Sequence, residues 1–578
     1  MTPHPETRQP AKRRHDLDAL RAFAMVLGIA LHAACAYSMM PWPVMDTDHS
    51  SLLFLLFIWL VHGFRMPLFF VVSGYFTAML ASRKGIRAML ANRAARILAP
   101  CLAGLITIVP VTLVTSSWAL TRDARHPRSL LFQAIVAGDT SKVANLLDQG
   151  EPIGQTDERL GSQPLVWAVL WESEPIARLL LERGADPMAA TRLGGNALCA
   201  AAFLGNRNML EILVQSGGDP LASPPSGVPP VKVAAIDPAR TQAMIRFMKG
   251  SDEPTIDKVI SGRREVRAFL QDRGAAMEQP ESADDSKPAG WAQAYVRWLA
   301  SGAFRIEVGS IRWHLFNDPF FAHLWFLWFL CWLAPAYAAW ASLGQGMADG
   351  LKISTATAVW LAAAITLGPQ WLMGTDRNPF DLQSLVGPET SSGVLPKPHV
   401  LAYYAIFFFF GTWLYGAPGS GGRLGAGWKI WIPVAVFAAF PLALATQGQA
   451  PVNAVAQVAY TWLMVLGMIG VFERFASRES RLARYVSDAS YWMYLVHLPM
   501  VIAGQLLLAD WAAPAPVKCV VLLAGTMAIL IASYQLLVRH TAVGLFLNGP
   551  RPQEPTTSKL RSGNDAGQEL RADLPPTP

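Results

Sequence analysis

The sequence predicts an all-α membrane protein of about ten transmembrane helices, interrupted by an inserted domain of short helical repeats. Three observations carry that prediction. Of the 578 residues, 52% are hydrophobic and only 15% are charged, against about 25% charged in an average soluble domain. Ten apolar stretches approach the roughly 20 residues that a helix needs to cross a hydrocarbon core. Between the third and fourth, residues 120–290 hold no such stretch, carry many of the charges and contain an internal repeat. Together these exclude a disordered chain, an ordinary soluble enzyme and a bundle with short loops only. The net charge of +7 reads as basic loops at an anionic membrane face, not as a nucleic-acid surface.

Residues 1–18 form a basic N-terminus with Arg8, Lys12, Arg13 and Arg14. With the apolar stretch from Ala22 and the small residues Ala34-Cys35-Ala36, it has the outline of a cleavable signal peptide. The leader is long and many spans follow, so an uncleaved first span fits better. The ten spans run approximately over 19–40, 52–81, 97–118, 322–343, 354–373, 400–416, 429–446, 453–472, 489–509 and 518–538. They make a two-part membrane core, 19–119 and 322–540. The second is too long for one straight span, and His62, Gly63, Arg65 and Pro67 mark a kink or an interfacial helix leading into it. Arg83, Lys84, Arg87, Arg93 and Arg96 lie between spans two and three, and Arg474, Arg478, Arg481 and Arg484 between spans eight and nine. The loops 41–51 and 447–452 have no Lys or Arg. The positive-inside rule then places both termini in the cytoplasm. None of the five cysteines forms a CxxC pair, and no disulfide framework or metal site is signalled.

In the insert, 120–275, Leu180-Leu181-Glu182-Arg183-Gly184-Ala185-Asp186-Pro187 recurs 33 residues later as the segment ending Gly217-Gly218-Asp219-Pro220. Leu146-Leu147-Asp148-Gln149-Gly150 precedes the first copy by 34 residues. The period and the helix-ending Gly-x-Asp-Pro turn resemble ankyrin repeats, with an unrelated helical hairpin array as the alternative. Glycine supplies the left-handed stop, and Asp-Pro opens the turn to the next unit. Helices expected at 139–149, 173–183 and 206–216 are too short to stand alone and need stacking. A degenerate fourth unit near 228–249 reads as a cap. Residues 276–321 are a linker followed by an aromatic interfacial segment, and 541–578 a disordered cytoplasmic tail. The insert follows the third span, so it is expected outside the cytoplasm.

Several polar residues fall inside the spans. Arg21 and His32 are 11 residues apart in span one and lie within about 20° of one helix face. Asp18, three residues before Arg21, is placed to pair with it. An imidazole deep in a span is costly and points to function, although a packing hydrogen bond between helices is the alternative. Arg93 and Arg96 share a face at the start of span three and suit phosphate groups, or simply anchor the span. Ser73-Gly74 in span two reads as close helix packing. His323 opens span four, where it contacts a polar acceptor or stands at the interface beside Trp325. In span nine His497 lies about ten residues into the membrane with Tyr494 one turn earlier, as a polar pathway or a structural hydrogen bond. No P-loop, GxSxG, HExxH or usable GxGxxG motif is present.

Taken in order, Asp18-Ala19-Leu20-Arg21 with His32, Phe70-Val71-Val72-Ser73-Gly74-Tyr75, Arg93-x-x-Arg96, His323-Leu324-Trp325-Phe326-Leu327 and Ser490-Tyr491-x-x-Tyr494-Leu495-Val496-His497 resemble the membrane acyltransferase family called acyltransferase 3. The resemblance covers about 15–120 and 320–540, and is strongest toward the branch that succinylates periplasmic glucans. An ankyrin-like insert lies outside the family's usual pattern. The resemblance implies O-acylation of an extracytoplasmic carbohydrate by cytoplasmic acyl-coenzyme A, a co-substrate, with no bound cofactor. It implies His32 as the catalytic base, or as an acyl-carrying nucleophile. Arg21, Arg93 and Arg96 would handle the donor, Asp18 would orient Arg21, and His323, Tyr494 and His497 would line the acceptor path. The expected setting is a bacterial inner membrane, with the insert periplasmic and free to bind a protein partner. The rival reading is a non-enzymatic transporter or exporter of glycans or lipids, with the intramembrane His and Arg as a conduction path.

Overall fold

The computed structural model describes residues 14–548, except for 39, 47–49, 126, 128, 158–160, 192–193, 225–227, 237–240, 242–243, 246–247, 250–253, 276–289, 309–310, 344–353, 377–385, 418–423 and 448. Most of the basic N-terminus, the linker after 275 and the tail from 549 lie outside the described residues.

Ten helices are long and apolar enough to cross a membrane. They are α1 His15–Cys35, α2 Leu52–Lys84, α3 Ile86–Arg122, and then, beyond the insert, Ala322–Leu343, Thr355–Thr375, Pro398–Gly416, Trp428–Ala445, Ala450–Phe475, Arg481–Leu508 and Ala515–Val538. The helices α1, α2 and Ala450–Phe475 are the most enclosed. Thr355–Thr375, Trp428–Ala445 and Ala515–Val538 are the least. The outer helices expose apolar side chains such as Trp360, Phe437 and Val520, as a lipid-facing surface does.

The second span is one unbroken helix of 33 residues with Pro67 inside it, so no separate interfacial helix leads into it. Its closest neighbour is Pro398–Gly416. A Cβ on Gly74 would collide with the carbonyl of Phe408, and one on Gly411 with that of Val71. The two backbones therefore meet through reciprocal glycines, the small-residue packing expected at Ser73-Gly74. Gly85, at φ +83°, turns the chain directly from α2 into α3. Early in α3, residues Ala94–Leu98 form a single π-helical turn.

The insert stacks three helical pairs: α4 Leu130–Ala137 with α5 Thr140–Asp148, α6 Pro164–Leu170 with α7 Glu174–Glu182, and α8 Ala197–Leu204 with α9 Arg207–Gln215. The second helix of each pair falls within the range its sequence period predicts. Gly150, Gly184 and Gly217 follow them at φ +92°, +91° and +96°, the positive φ that glycine supplies at a helix stop. Asp186 and Asp219 each accept a hydrogen bond from the backbone two residues on, at 2.8 and 2.9 Å, which makes the turn. The pairs share one core with Trp167, Leu198, Leu210 and Leu213 buried. A helix absent from the sequence reading, Ile256–Gln271, closes the stack. Its buried Arg263 donates to the carbonyls of Phe203 and Ile236 and to Thr241 Oγ1 at 2.7, 2.8 and 2.9 Å. Burial pushes its guanidinium down to about 10.

The interfacial segment is more structured than expected. It comprises a short helix, Trp291–Ala300, and an antiparallel hairpin, β1 Arg305–Val308 paired with β2 Ile311–His314. The hairpin end leans on the segment before Pro398, through Leu395 N–H to Leu315 O at 2.9 Å and Phe320 and Phe321 N–H to Ser392 O at 2.8 Å.

Candidate active site

Three histidines from three spans converge inside the bundle. The rings of His32 and His497 have centroids 5.3 Å apart, and those of His497 and His323 are 5.5 Å apart. Trp42, from the loop after α1, stacks on His32 at 5.6 Å with an interplanar angle of 19°.

Their hydrogen bonds differ in a way that assigns protons. His497 Nδ1 lies 2.8 Å from Tyr494 O and 3.1 Å from Met493 O. Carbonyls only accept, so Nδ1 carries the proton and Nε2 presents a lone pair. His323 Nε2 donates to Leu495 O at 2.9 Å, which leaves Nδ1 as its lone pair. Nδ1 of His32 is buried and has no hydrogen-bond partner among the described residues. Its position is fixed through the main chain instead. Gln505 donates from Nε2 to the carbonyls of His32 and Ala33 at 2.9 and 3.3 Å, and its Oε1 accepts from Trp42 Nε1 at 2.8 Å. The ring of His32 is thus held in place without spending its Nδ1 on a hydrogen bond.

The loop that carries Trp42 is pinned by a second device. Lys518 Nζ, only 1% exposed, meets Asp46 Oδ2 at 2.6 Å, and Asp46 N–H donates to Ala36 O at 2.9 Å. A buried pair with this geometry is costly to break from one side, so it fastens the loop over the end of α1.

At the basic end of the bundle a cavity of about 560 Å³ is lined by Arg21, Arg93, Arg96 and Lys84, with Phe326 and Tyr494 also in its wall. Arg21 donates to Ser487 O and Oγ at 2.9 and 2.6 Å. Arg93 donates to Thr77 Oγ1 at 2.9 Å, and Arg96 to the carbonyls of Leu545 and Phe546 at 2.9 and 3.3 Å. The two arginines of the i,i+3 pair thus share one cavity but brace different elements, α2 and the C-terminal helix Ala542–Asn548, across the π-helical turn. Asp18 lies half-buried on α1, one turn before Arg21. His32 does not line this cavity. Tyr494 links the two regions, because it lines the cavity and its hydroxyl donates to His323 O at 2.5 Å. Arg21, Arg93, Arg96 and Tyr494 thus line the cavity, and His32, His323 and His497 form the cluster.

Three residues near His32 were not assigned to the site from sequence: Trp42 and Gln505, which hold it, and Arg65, which interacts with it electrostatically. Arg65 carried the same signal as His32, an ionisable group in mid-span, but its neighbours Gly63 and Pro67 marked it as part of a kink. Trp42 and Gln505 acquire meaning only through their contact with each other and with α1, more than 460 residues apart in sequence. Among the described residues, no group of three His, Cys, Asp or Glu side chains is arranged to hold a metal ion.

A family model described as an acyltransferase domain matches residues 14–125 and 285–535, more than half of the chain. A second, described as ankyrin repeats in three copies, matches residues 127–223. Glucans biosynthesis protein C of Escherichia coli strain K12 is 42% identical over 93 residues, 16% of this chain and 24% of the relative. The protein of that name from Shigella dysenteriae serotype 1 is also 42% identical over 93 residues, with the same coverage. That from Escherichia coli O6:K15:H31 is 33% identical over 123 residues, 21% of this chain and 32% of the relative. The alignment spans about a quarter to a third of the length of these relatives.

Proposed function

This chain belongs to the family of that acyltransferase domain, and we propose that it moves an acyl group, succinyl or acetyl, from cytoplasmic acyl-coenzyme A to hydroxyls of an extracytoplasmic carbohydrate such as a periplasmic glucan. The observation that carries the reading is a histidine with an unengaged buried Nδ1, linked through His497 and Tyr494 to a cavity lined with arginine. The names of the relatives point to glucan as the acceptor class. In this reading the basic end faces the cytoplasm. The ankyrin-repeat insert then faces the periplasm, where it offers a protein-binding surface.

The parts have separate tasks. Arg21, Arg93 and Arg96 hold the phosphates of coenzyme A, which suit the planar, permanently charged guanidinium. Asp18 orients Arg21 from one turn away. The pantetheine arm follows the apolar wall formed by Met25, Phe69 and Phe326 toward the histidines. The acceptor hydroxyl enters from the opposite end, past Tyr494, His323 and His497, and the free ring nitrogens of the two histidines accept its hydrogen bond. His32 takes the hydroxyl proton as the oxygen attacks the thioester carbonyl. The new C–O bond forms, the C–S bond breaks, and the proton passes to the departing thiolate. A neutral imidazole suits this exchange, because its basic nitrogen can take the hydroxyl proton and hand it on. No cofactor and no metal is required for these steps.

The test is the ester content of periplasmic glucan extracted from cells that express the wild type or His32→Ala at matched membrane levels. The reading expects acyl esters to disappear in the variant, and unchanged esters would refute it. Reporter fusions near residue 200 test the topology, with a periplasmic signal expected.

A further inference from the structure

The mid-span Arg65 has no task in the scheme above. It stands 13 residues from the start of α2 and 19 from its end, about 20 and 28 Å at 1.5 Å per residue, which is deep within the membrane-spanning part. Its guanidinium packs directly on Gly28 of α1. A Cβ there would overlap Nη1, so the glycine makes room for the arginine. Gly28 is one helical turn before His32 on the same face of α1. Arg65 also lies within electrostatic range of both His32 and His497. Its other ionisable neighbours are Tyr494, Tyr404 and Cys35. No carboxylate pairs with it among the described residues, and its Nε is buried without a partner.

An intramembrane cation without a counter-ion is unfavourable unless something in the working cycle neutralises it. The donor phosphates do not meet this need, because the cavity that suits them is lined by Arg21, Arg93 and Arg96 and not by Arg65. What reaches the neighbourhood of His32 is the acyl group itself. In a four-carbon dicarboxylic acyl group the far carboxylate stands three C–C bonds from the thioester carbonyl, about 4–5 Å at roughly 1.5 Å per bond. Four residues of α1, about 6 Å at 1.5 Å per residue, separate His32 from the glycine under Arg65. A carbonyl beside His32 and a carboxylate beside Arg65 call for a separation of that order, and the two residues interact electrostatically.

We infer that Arg65 is the residue that selects the acyl group: its guanidinium, seated on Gly28, binds the free carboxylate of a dicarboxylic acyl donor while His32 serves the thioester carbonyl. The inference rests on the acyl-transfer reading and deepens it by choosing between acid-bearing and neutral acyl groups. Planar guanidinium binds carboxylate through two parallel hydrogen bonds, which an ammonium cannot reproduce.

The test is a competition. The full-length protein in native membranes receives equal concentrations of succinyl- and acetyl-coenzyme A with periplasmic glucan as acceptor, and mass spectrometry gives the ratio of the two esters. The wild type is expected to favour succinyl. Arg65→Gln should lower the succinyl-to-acetyl ratio about 10- to 100-fold, the worth of a charge-assisted hydrogen-bonded pair, and Arg65→Lys should recover part of it. Gly28→Ala supplies a second variant, which displaces the guanidinium without removing it and should shift the ratio in the same direction. A wild type that favours acetyl would overturn the assignment. So would ratios unchanged in both Arg65→Gln and Gly28→Ala, or equal losses with both donors, which mark a general role at the thioester oxygen or in folding. A wild type inactive with both donors would instead sink the acyl-transfer reading, and this inference with it.

Discussion

The imidazoles of His32 and His497 face each other at 5.3 Å although 465 positions separate them in the chain, and only one of them spends a ring nitrogen on the backbone. His497 is locked by the carbonyls of Met493 and Tyr494. His32 is steered from outside its ring by Gln505 and Trp42. The two imidazoles are thus held in different ways, one through its ring and one through its main chain.

Gln505 is the hinge of that arrangement. Gln505→Leu leaves the Trp42 indole N–H and the His32 carbonyl without their partner. Each unsatisfied buried group costs about 1–3 kcal/mol, so the thermal midpoint of the purified protein should fall. The turnover number should fall further than the KM for acyl-coenzyme A changes, since the ring of His32 loses its orientation. Steady-state kinetics with both substrates varied separate the two effects.

Arg93 should act on the donor alone. Arg93→Gln is expected to raise the KM for acyl-coenzyme A about 10- to 100-fold, the worth of a charge-assisted contact to phosphate. The exposed Arg478 serves as the control, because Arg478→Gln removes an equal charge from the same end of the bundle. Equal effects in both variants would reduce Arg93 to an anchor.

Much of this was legible in sequence, and the boundary is physical. Spans of about 20 apolar residues and a repeat every 33 residues are local patterns, so the ten helices and the pairs of the insert could be placed from them. The Arg21–His32 face of α1 follows from helix geometry alone. The convergence of His323 and His497 on His32 depends on how α1 packs against Arg481–Leu508 and on the hydrogen bond from His323 to Leu495 O of that helix, which no local period encodes. The hairpin at 305–314 is hidden because four-residue strands are too short to show an alternation. The helix Ile256–Gln271 is hidden because it is only partly apolar and stands outside the repeat. The meaning of Arg65 depends on Gly28, a contact between two helices that sequence leaves unpaired.

In the insert, Arg263 ties the closing helix to the last repeats by hydrogen bonds to Phe203, Ile236 and Thr241. Arg263→Met strands those buried acceptors and should destabilise this end of the stack by about 2–3 kcal/mol. Limited proteolysis of the membrane-embedded protein should then cut earlier within 200–275, while the membrane core stays resistant. Unchanged proteolysis would show that the helix does not depend on Arg263.

The central claim is that His32 performs the proton transfer, and a single-turnover measurement addresses it most directly. Purified protein is loaded with acyl-coenzyme A, glucan is added, and the free thiol of coenzyme A is followed in time. His32→Gln, close in size and still polar, should slow thiol release about 10²- to 10⁴-fold, the usual worth of a general base, while donor binding stays within twofold. Thiol release at the wild-type rate would contradict the account.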